Sequence, residues 1–127
     1  MTNKQKSALI FSIGSTINSE DFRKDTSNIK LILYTENGLI HGTYVSQENY
    51  AEPIIDKENR RINFLKIADT NIEYFNKNVQ ENKIVYDDYI FLKDVLIING
   101  NGSSKLDSLM VFTETIKGIS VGSLNVR

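Results

Sequence analysis

The chain has no cysteine and a single histidine and proline among its 127 residues. Without thiols it can form no disulfide, no thiolate zinc site and no cysteine nucleophile. One histidine, His41, cannot build a multi-histidine metal centre. Charge of one sign is also lacking: the net charge is −1 with 24% charged residues. That excludes the broad field of a purely electrostatic nucleic-acid binder, although a local patch can still act. No apolar run reaches the about 20 residues that cross a membrane. The stretch from Ser7 to Ile17 follows Lys4 and Lys6 and has a short apolar centre, in the manner of a signal peptide. Ser12, Gly14 and Ser15 interrupt it, so it is read as the first strand or helix of a cytoplasmic protein.

What is present suits one β-rich domain. Hydrophobic residues make up 40% of the chain, enough for a core without covalent staples. Ile29 to Val45, IKLILYTENGLIHGTYV, reads as two strands around a turn at Glu36-Asn37-Gly38. Asn-Gly accepts the positive φ of a type I′ hairpin turn. In the first arm Ile29, Leu31 and Leu33 alternate with Lys30, Ile32 and Tyr34, as in a strand covered on both faces. Gly42 inside the second arm predicts a bulge, a bend or a close backbone approach.

Elsewhere the pattern is less even. Met1 to Lys6 is expected to fray, and Ser19-Glu20-Asp21-Phe22 reads as a short helix start with Ser19 as N-cap. Pro53 breaks any regular element in the middle of the chain. From Leu65 to Val79 two readings compete. Leu65, Ala68, Ile72, Phe75 and Val79 have helical spacing, and Thr70 with Glu73 fits a capping box for a helix from Asn71 to about Gln80. The asparagines at 71, 76, 78 and 82 oppose a helix. Strand then turn is favoured for Ile62 to Ala68, and the remainder is open. Tyr89 to Ile98 is a strongly β-prone run, Asn99 to Ser104 a flexible loop, and Leu109 to Phe112 a strand. Thr113-Glu114-Thr115 reads as a tight turn before a last strand, Ile116 to Val121.

The order of short helix, hairpin, long strand and closing pair resembles the Sm-like family of small, strongly bent antiparallel β-barrels. Ile29–Val45, Tyr86–Val95 and Met110–Val121 carry the resemblance, about 40 residues together. It implies an Sm-like or SH3-like barrel with a short N-terminal helix, an insertion at about 46–85, and ring-like assembly by strand addition. Family members that bind RNA carry an asparagine at the start of the third strand, where this chain has Tyr89. They carry Ile-Arg-Gly in the fourth strand, where this chain has Val111, Phe112 and Thr113. No arginine is therefore offered there to stack on a base.

The candidate chemistry is sparse. His41 could act as a base or pH-sensitive contact, but a mid-strand side chain is the simpler reading. Asp87 and Asp88 are adjacent and would point to opposite sides of a strand; with Asp94 they supply too few ligands for Ca²⁺ or Mg²⁺. Asn99 to Ser104 is glycine-rich, but Lys105 is followed by Leu106 rather than Ser or Thr, unlike a phosphate loop. Serine has no elbow motif and no second histidine to serve it. Lys57, Arg60, Arg61 and Lys66, with Tyr74 and Phe75 nearby, form the best basic cluster for single-stranded nucleic acid, although Asp56, Glu58 and Asp69 offset it. Tyr89, Phe91, Ile116 and Ile119 are candidate interface residues, with Ile116–Val121 and Leu92–Ile98 as strands for intersubunit pairing.

The sequence thus predicts a non-enzymatic, cofactor-free binding or assembly module that self-associates through strand edges. An RNA- or single-stranded-DNA-binding protein and a small antagonist of one protein partner are the alternatives.

Overall fold

The computed structural model describes residues 1–20, 28–46, 55–56, 58 and 61–123. Helix α1 spans Asn3–Ile17. It begins earlier than the expected frayed end because Thr2 and Gln5 form a capping box. The Thr2 hydroxyl accepts the Gln5 N–H at 3.1 Å, and the Gln5 side chain accepts the Thr2 N–H at 2.9 Å. Its buried residues Ile10, Gly14 and Ile17 recur every three or four positions, which places them on one face. The short helix expected from Ser19 lies, beyond Glu20, outside the described residues.

Strands β1 (Lys30–Thr35) and β2 (Gly38–Val45) form the hairpin. Its turn is not type I′. Thr35 pairs with Gly38, so Glu36 and Asn37 are the central residues, and neither has positive φ. The positive φ falls on Gly38 alone, at 145°, where a Cβ would run into the Ile98 carbonyl oxygen. Only glycine accepts both that backbone conformation and that neighbour.

A short pair follows, β3 (Ile55–Asp56) with β4 (Arg61–Ile62), and then helix α2, Phe64–Asn78. One helix therefore replaces the strand and turn expected from Ile62 to Ala68. Its N-cap is Asn63, whose side chain accepts the Lys66 N–H at 3.2 Å, and Thr70 lies inside it rather than at its start. The asparagines are accommodated by bonding back to the preceding turn. Asn71 donates to the Ile67 carbonyl and Asn78 to the Tyr74 carbonyl, both at 2.8 Å.

The remaining strands are β5 (Tyr89–Asn99), β6 (Gly102–Phe112) and β7 (Ile116–Gly122). The loop expected from Asn99 to Ser104 contracts to a two-residue turn, because Asn99 pairs with Gly102 and β6 starts there. A 3₁₀ turn at Thr113–Thr115 joins β6 to β7. All ladders are antiparallel, and the five strands form one sheet in the order β6-β5-β2-β1-β7. No ladder joins β6 to β7 among the described residues, so the sheet keeps two edges where a barrel was expected to close.

Two ladders of the sheet shift register, β1 against β7 between Tyr34 and Thr35, and β2 against β5 between His41 and Thr43. His41 faces Leu96 whereas Thr43 faces Lys93, so β5 carries one extra residue opposite Gly42. Asp94 absorbs it with φ of 51°, and Lys30 of β1 donates to the Asp94 carbonyl at 3.2 Å. Such a bulge increases local twist and bends the strand. Both faces of β5 are covered. Ile90, Leu92 and Val95 join Ile10 and Ile17 of α1 in one core. Tyr89 and Phe91 join Leu65 and Ala68 of α2 in the other. Burying a side chain such as Leu92 or Phe91 is worth about 2 kcal/mol.

A Cβ at Gly42 would lie 3.1 Å from the Leu92 Cβ and 3.3 Å from the Val95 side chain. Gly42→Val should therefore destabilise the chain by about 1–3 kcal/mol, as overpacking does. Equilibrium urea unfolding reads this directly, and an unchanged midpoint would show that β2 and β5 do not approach so closely.

Candidate functional site

The five-stranded sheet ends in two edge strands, β6 and β7. Strand β6 has its ladder to β5 and β7 has its ladder to β1, which leaves one side of each without a strand partner among the described residues. Unpaired N–H and C=O groups along an edge are a template for another strand. Both edges carry exposed apolar side chains: Leu106 at 41% and Phe112 at 57% on β6, and Val121 at 42% on β7. Lys105 and Asp107 on β6 and Lys117 on β7 are exposed charges of the kind that limits indiscriminate pairing.

Between the edges lies a cleft of about 440 Å³, walled by Leu109 to Phe112 on one side and by Thr35 to Asn37 with Lys117 on the other. Lys117 and Glu36 approach to 3.8 Å across its rim, both more than half exposed. Such a pair adds little stability, so it orients the rim without closing it.

A second concavity, a groove of about 570 Å³, runs between α1 and the start of β5. Phe11, Tyr44 and Tyr86 give it an aromatic lining. Phe11 and Tyr44 meet edge to face with centroids 6.1 Å apart. Tyr44 also holds the helix. Its carbonyl accepts from the Asn18 side chain at 3.0 Å, and its ring presses on Gly14. Burial pushes the Tyr44 phenol above its ordinary value, so it stays a neutral donor near neutral pH.

The sequence-predicted site residues are dispersed. Lys57 and Arg60 lie outside the described residues, Arg61 is on β4 opposite Asp56, and Lys66 is half-buried in the first turn of α2. Tyr89, Phe91 and Ile116 belong to the interior, at 6%, 1% and 2% exposure. Ile119 is half-buried against the first core. Leu92 to Ile98 lies in β5, which has β2 on one side and β6 on the other, so this strand has no edge to offer. Ile116 to Val121 does lie on an edge, β7; the other edge is β6, whose first half the sequence hid because Gly-Asn-Gly-Ser-Ser reads as loop. Asp87 and Asp88 sit in a 3₁₀ turn at Tyr86–Asp88, where the Asp88 carboxylate accepts the Val85 N–H at 3.0 Å. That is a capping role. His41 is 7% exposed, and its Nε2 lies 3.1 Å from the Gly122 carbonyl oxygen.

Among the described residues no helix is long and apolar enough to cross a membrane. No family model matches the chain, and no curated protein does. Among solved structures it is similar to a heptameric archaeal Sm protein at 13% identity and a TM-score of 0.36, over 76% of this chain and 90% of that one.

Alanine in place of an exposed helical glycine gains up to about 1 kcal/mol. Gly14→Ala should do the reverse, because its Cβ would fall 2.7 Å from the Tyr44 ring. A lower urea midpoint together with a changed near-ultraviolet tyrosine signal is the expected result; stabilisation would show that α1 does not rest on Tyr44.

Proposed function

We propose that this chain is a non-enzymatic assembly module that joins copies of itself edge to edge, β6 of one copy against β7 of the next. The observation that carries the reading is the open five-stranded sheet, whose two edges both expose apolar side chains. The sequence resemblance supports it: its three stretches fall on β1–β2, on the start of β5, and on the end of β6 with β7. The two edges are different strands, so the contact is heterologous, and it closes into a ring if the rotation between copies allows. In this reading Ile116 and Ile119 contribute through the backbone of β7, while Tyr89 and Phe91 support the sheet from within. The whole chain acts as one bent β domain in the cytoplasm, and the segment at about 46–85 supplies the helix that covers the second face.

The first measurement is light-scattering mass after size exclusion, with absorbance at 260 and 280 nm on the same peak. The expected result is a defined multimer free of nucleic acid. Leu106→Asp with Val121→Asp should convert it to monomer without loss of the circular dichroism spectrum. A clean monomer of the unaltered chain at high micromolar concentration would overturn self-assembly and leave the binding of one protein partner. A high 260/280 ratio that falls in salt, and disappears in Arg60→Ala with Arg61→Ala, would move the function to nucleic acid.

A further inference from the structure

Asn-Gly occurs three times in the chain, as Asn37-Gly38, Asn99-Gly100 and Asn101-Gly102. The pair is open to ring closure, because the glycine has no side chain to block the approach of its nitrogen to the asparagine carboxamide. The fold separates the three. Asn99 and Gly102 close the β5–β6 turn, with Gly100 and Asn101 as its central residues, and all four are exposed. The Asn99 side-chain oxygen accepts the Asn101 N–H at 3.0 Å. The ring closed by this Asx turn contains both the side-chain carbonyl carbon and the Gly100 nitrogen. The Gly100 N–H itself has no hydrogen-bond partner among the described residues. We propose that Asn99 is a site of spontaneous modification, where the Gly100 nitrogen closes on the side chain to a succinimide that opens to isoaspartate.

The step needs only water. The Gly100 nitrogen gives up its proton and forms a bond to the Asn99 Cγ. The Cγ–Nδ2 bond breaks, and ammonia leaves with the proton. Water then opens either carbonyl of the imide. Cleavage of the new N–Cγ bond leaves aspartate. Cleavage of the original backbone C–N bond leaves isoaspartate, with the chain routed through the side-chain carbon. Ammonia has been exchanged for water, and nothing is oxidised or reduced. The Asn101 N–H favours closure, because it already donates to the oxygen on which negative charge gathers as Cγ becomes tetrahedral.

The other two pairs lack this arrangement. Gly38 and Gly102 are themselves ladder residues, paired with Thr35 and Asn99, so their backbone is committed to the sheet. The Thr35 hydroxyl also donates to the Gly38 carbonyl at 3.0 Å. Isoaspartate at position 99 adds a carbon to the backbone and a carboxylate where β5 closes on Gly102. A Cβ built on Gly38 would lie 3.2 Å from both the Cα and the Cβ of Asn99, so the lengthened chain presses on the β1–β2 turn. Gly102 to Asp107 of β6 is exposed throughout and, among the described residues, has β5 as its only strand partner. The modification therefore loosens that half of the edge strand. Its consequence for joining copies rests on the assembly reading; the modification does not.

Peptide mapping of the full chain, incubated at mildly alkaline pH, tests the proposal. The expected product carries OH in place of NH₂ at residue 99, and electron-transfer fragmentation identifies it as isoaspartate. In the folded chain Asn99 should react ahead of Asn37 and Asn101, whereas in concentrated urea the three should react alike. Gly100→Ala sets a methyl group beside the attacking nitrogen and should suppress the product. The added Cβ meets nothing within 4 Å and Gly100 has no positive φ, so the variant keeps the fold. An intact Asn99 in the folded chain once the urea-unfolded chain has converted would overturn the proposal. So would earlier conversion at Asn37 or Asn101, or undiminished conversion in Gly100→Ala. Light-scattering mass before and after incubation tests assembly independently: a chain that is monomeric throughout but converts at Asn99 keeps the modification and discards the assembly.

Discussion

The close approach of β2 to β5 at Gly42 governs the rest of the sheet. One extra residue on β5 faces one missing side chain on β2, and the strands meet where Leu92 and Val95 fill the space a Cβ would occupy. A flat sheet would leave Ile90 and Leu92 too spread to share one core with Ile10, Leu31 and Ile116. The bend wraps them around α1. Asp94 takes the left-handed conformation that the extra residue demands, and Lys30 satisfies its carbonyl. Asp tolerates that conformation better than most residues. Local backbone chemistry and long-range packing therefore agree at this position.

Around that bend β5 is enclosed on four sides. Two strands satisfy its backbone, α1 covers one face and α2 the other. Helix α2 thus has a structural part: its Leu65 and Ala68 cover Tyr89 and Phe91. The same arrangement puts β5 in the interior of the sheet and leaves β6 and β7 as its edges.

Much of this fold was legible in the sequence where the determining forces are local. The hairpin, the long strand from Tyr89, the turn at Thr113–Thr115 and the last strand are all announced by β-branched runs and their punctuation. The turn type was not, because the residue at positive φ is fixed by the Ile98 carbonyl, a contact from another strand. Helix α2 was obscured because its asparagines argue against a helix. Burial of Leu65 and Ala68 and the back-bonding of Asn71 and Asn78 outweigh that propensity. Strand β6 was half hidden, since Gly102 to Ser104 gains its extended form only by pairing with β5. For the candidate site, the run of β7 could be read, but which strands lie at the edges depends on sheet order. His41 was visible only as a lone histidine; its contact with Gly122 joins strands that no short-range pattern connects.

The pairing of β1 with β7 has a consequence for how the chain comes to be folded. These are the first and last strands of the five-stranded sheet in chain order, so their ladder spans most of the chain. Until β7 pairs, β1 presents a bare flank bearing Leu31 and Leu33, both fully buried once the sheet is complete. Closing such a distant contact is slow, because the intervening chain must lose its freedom first.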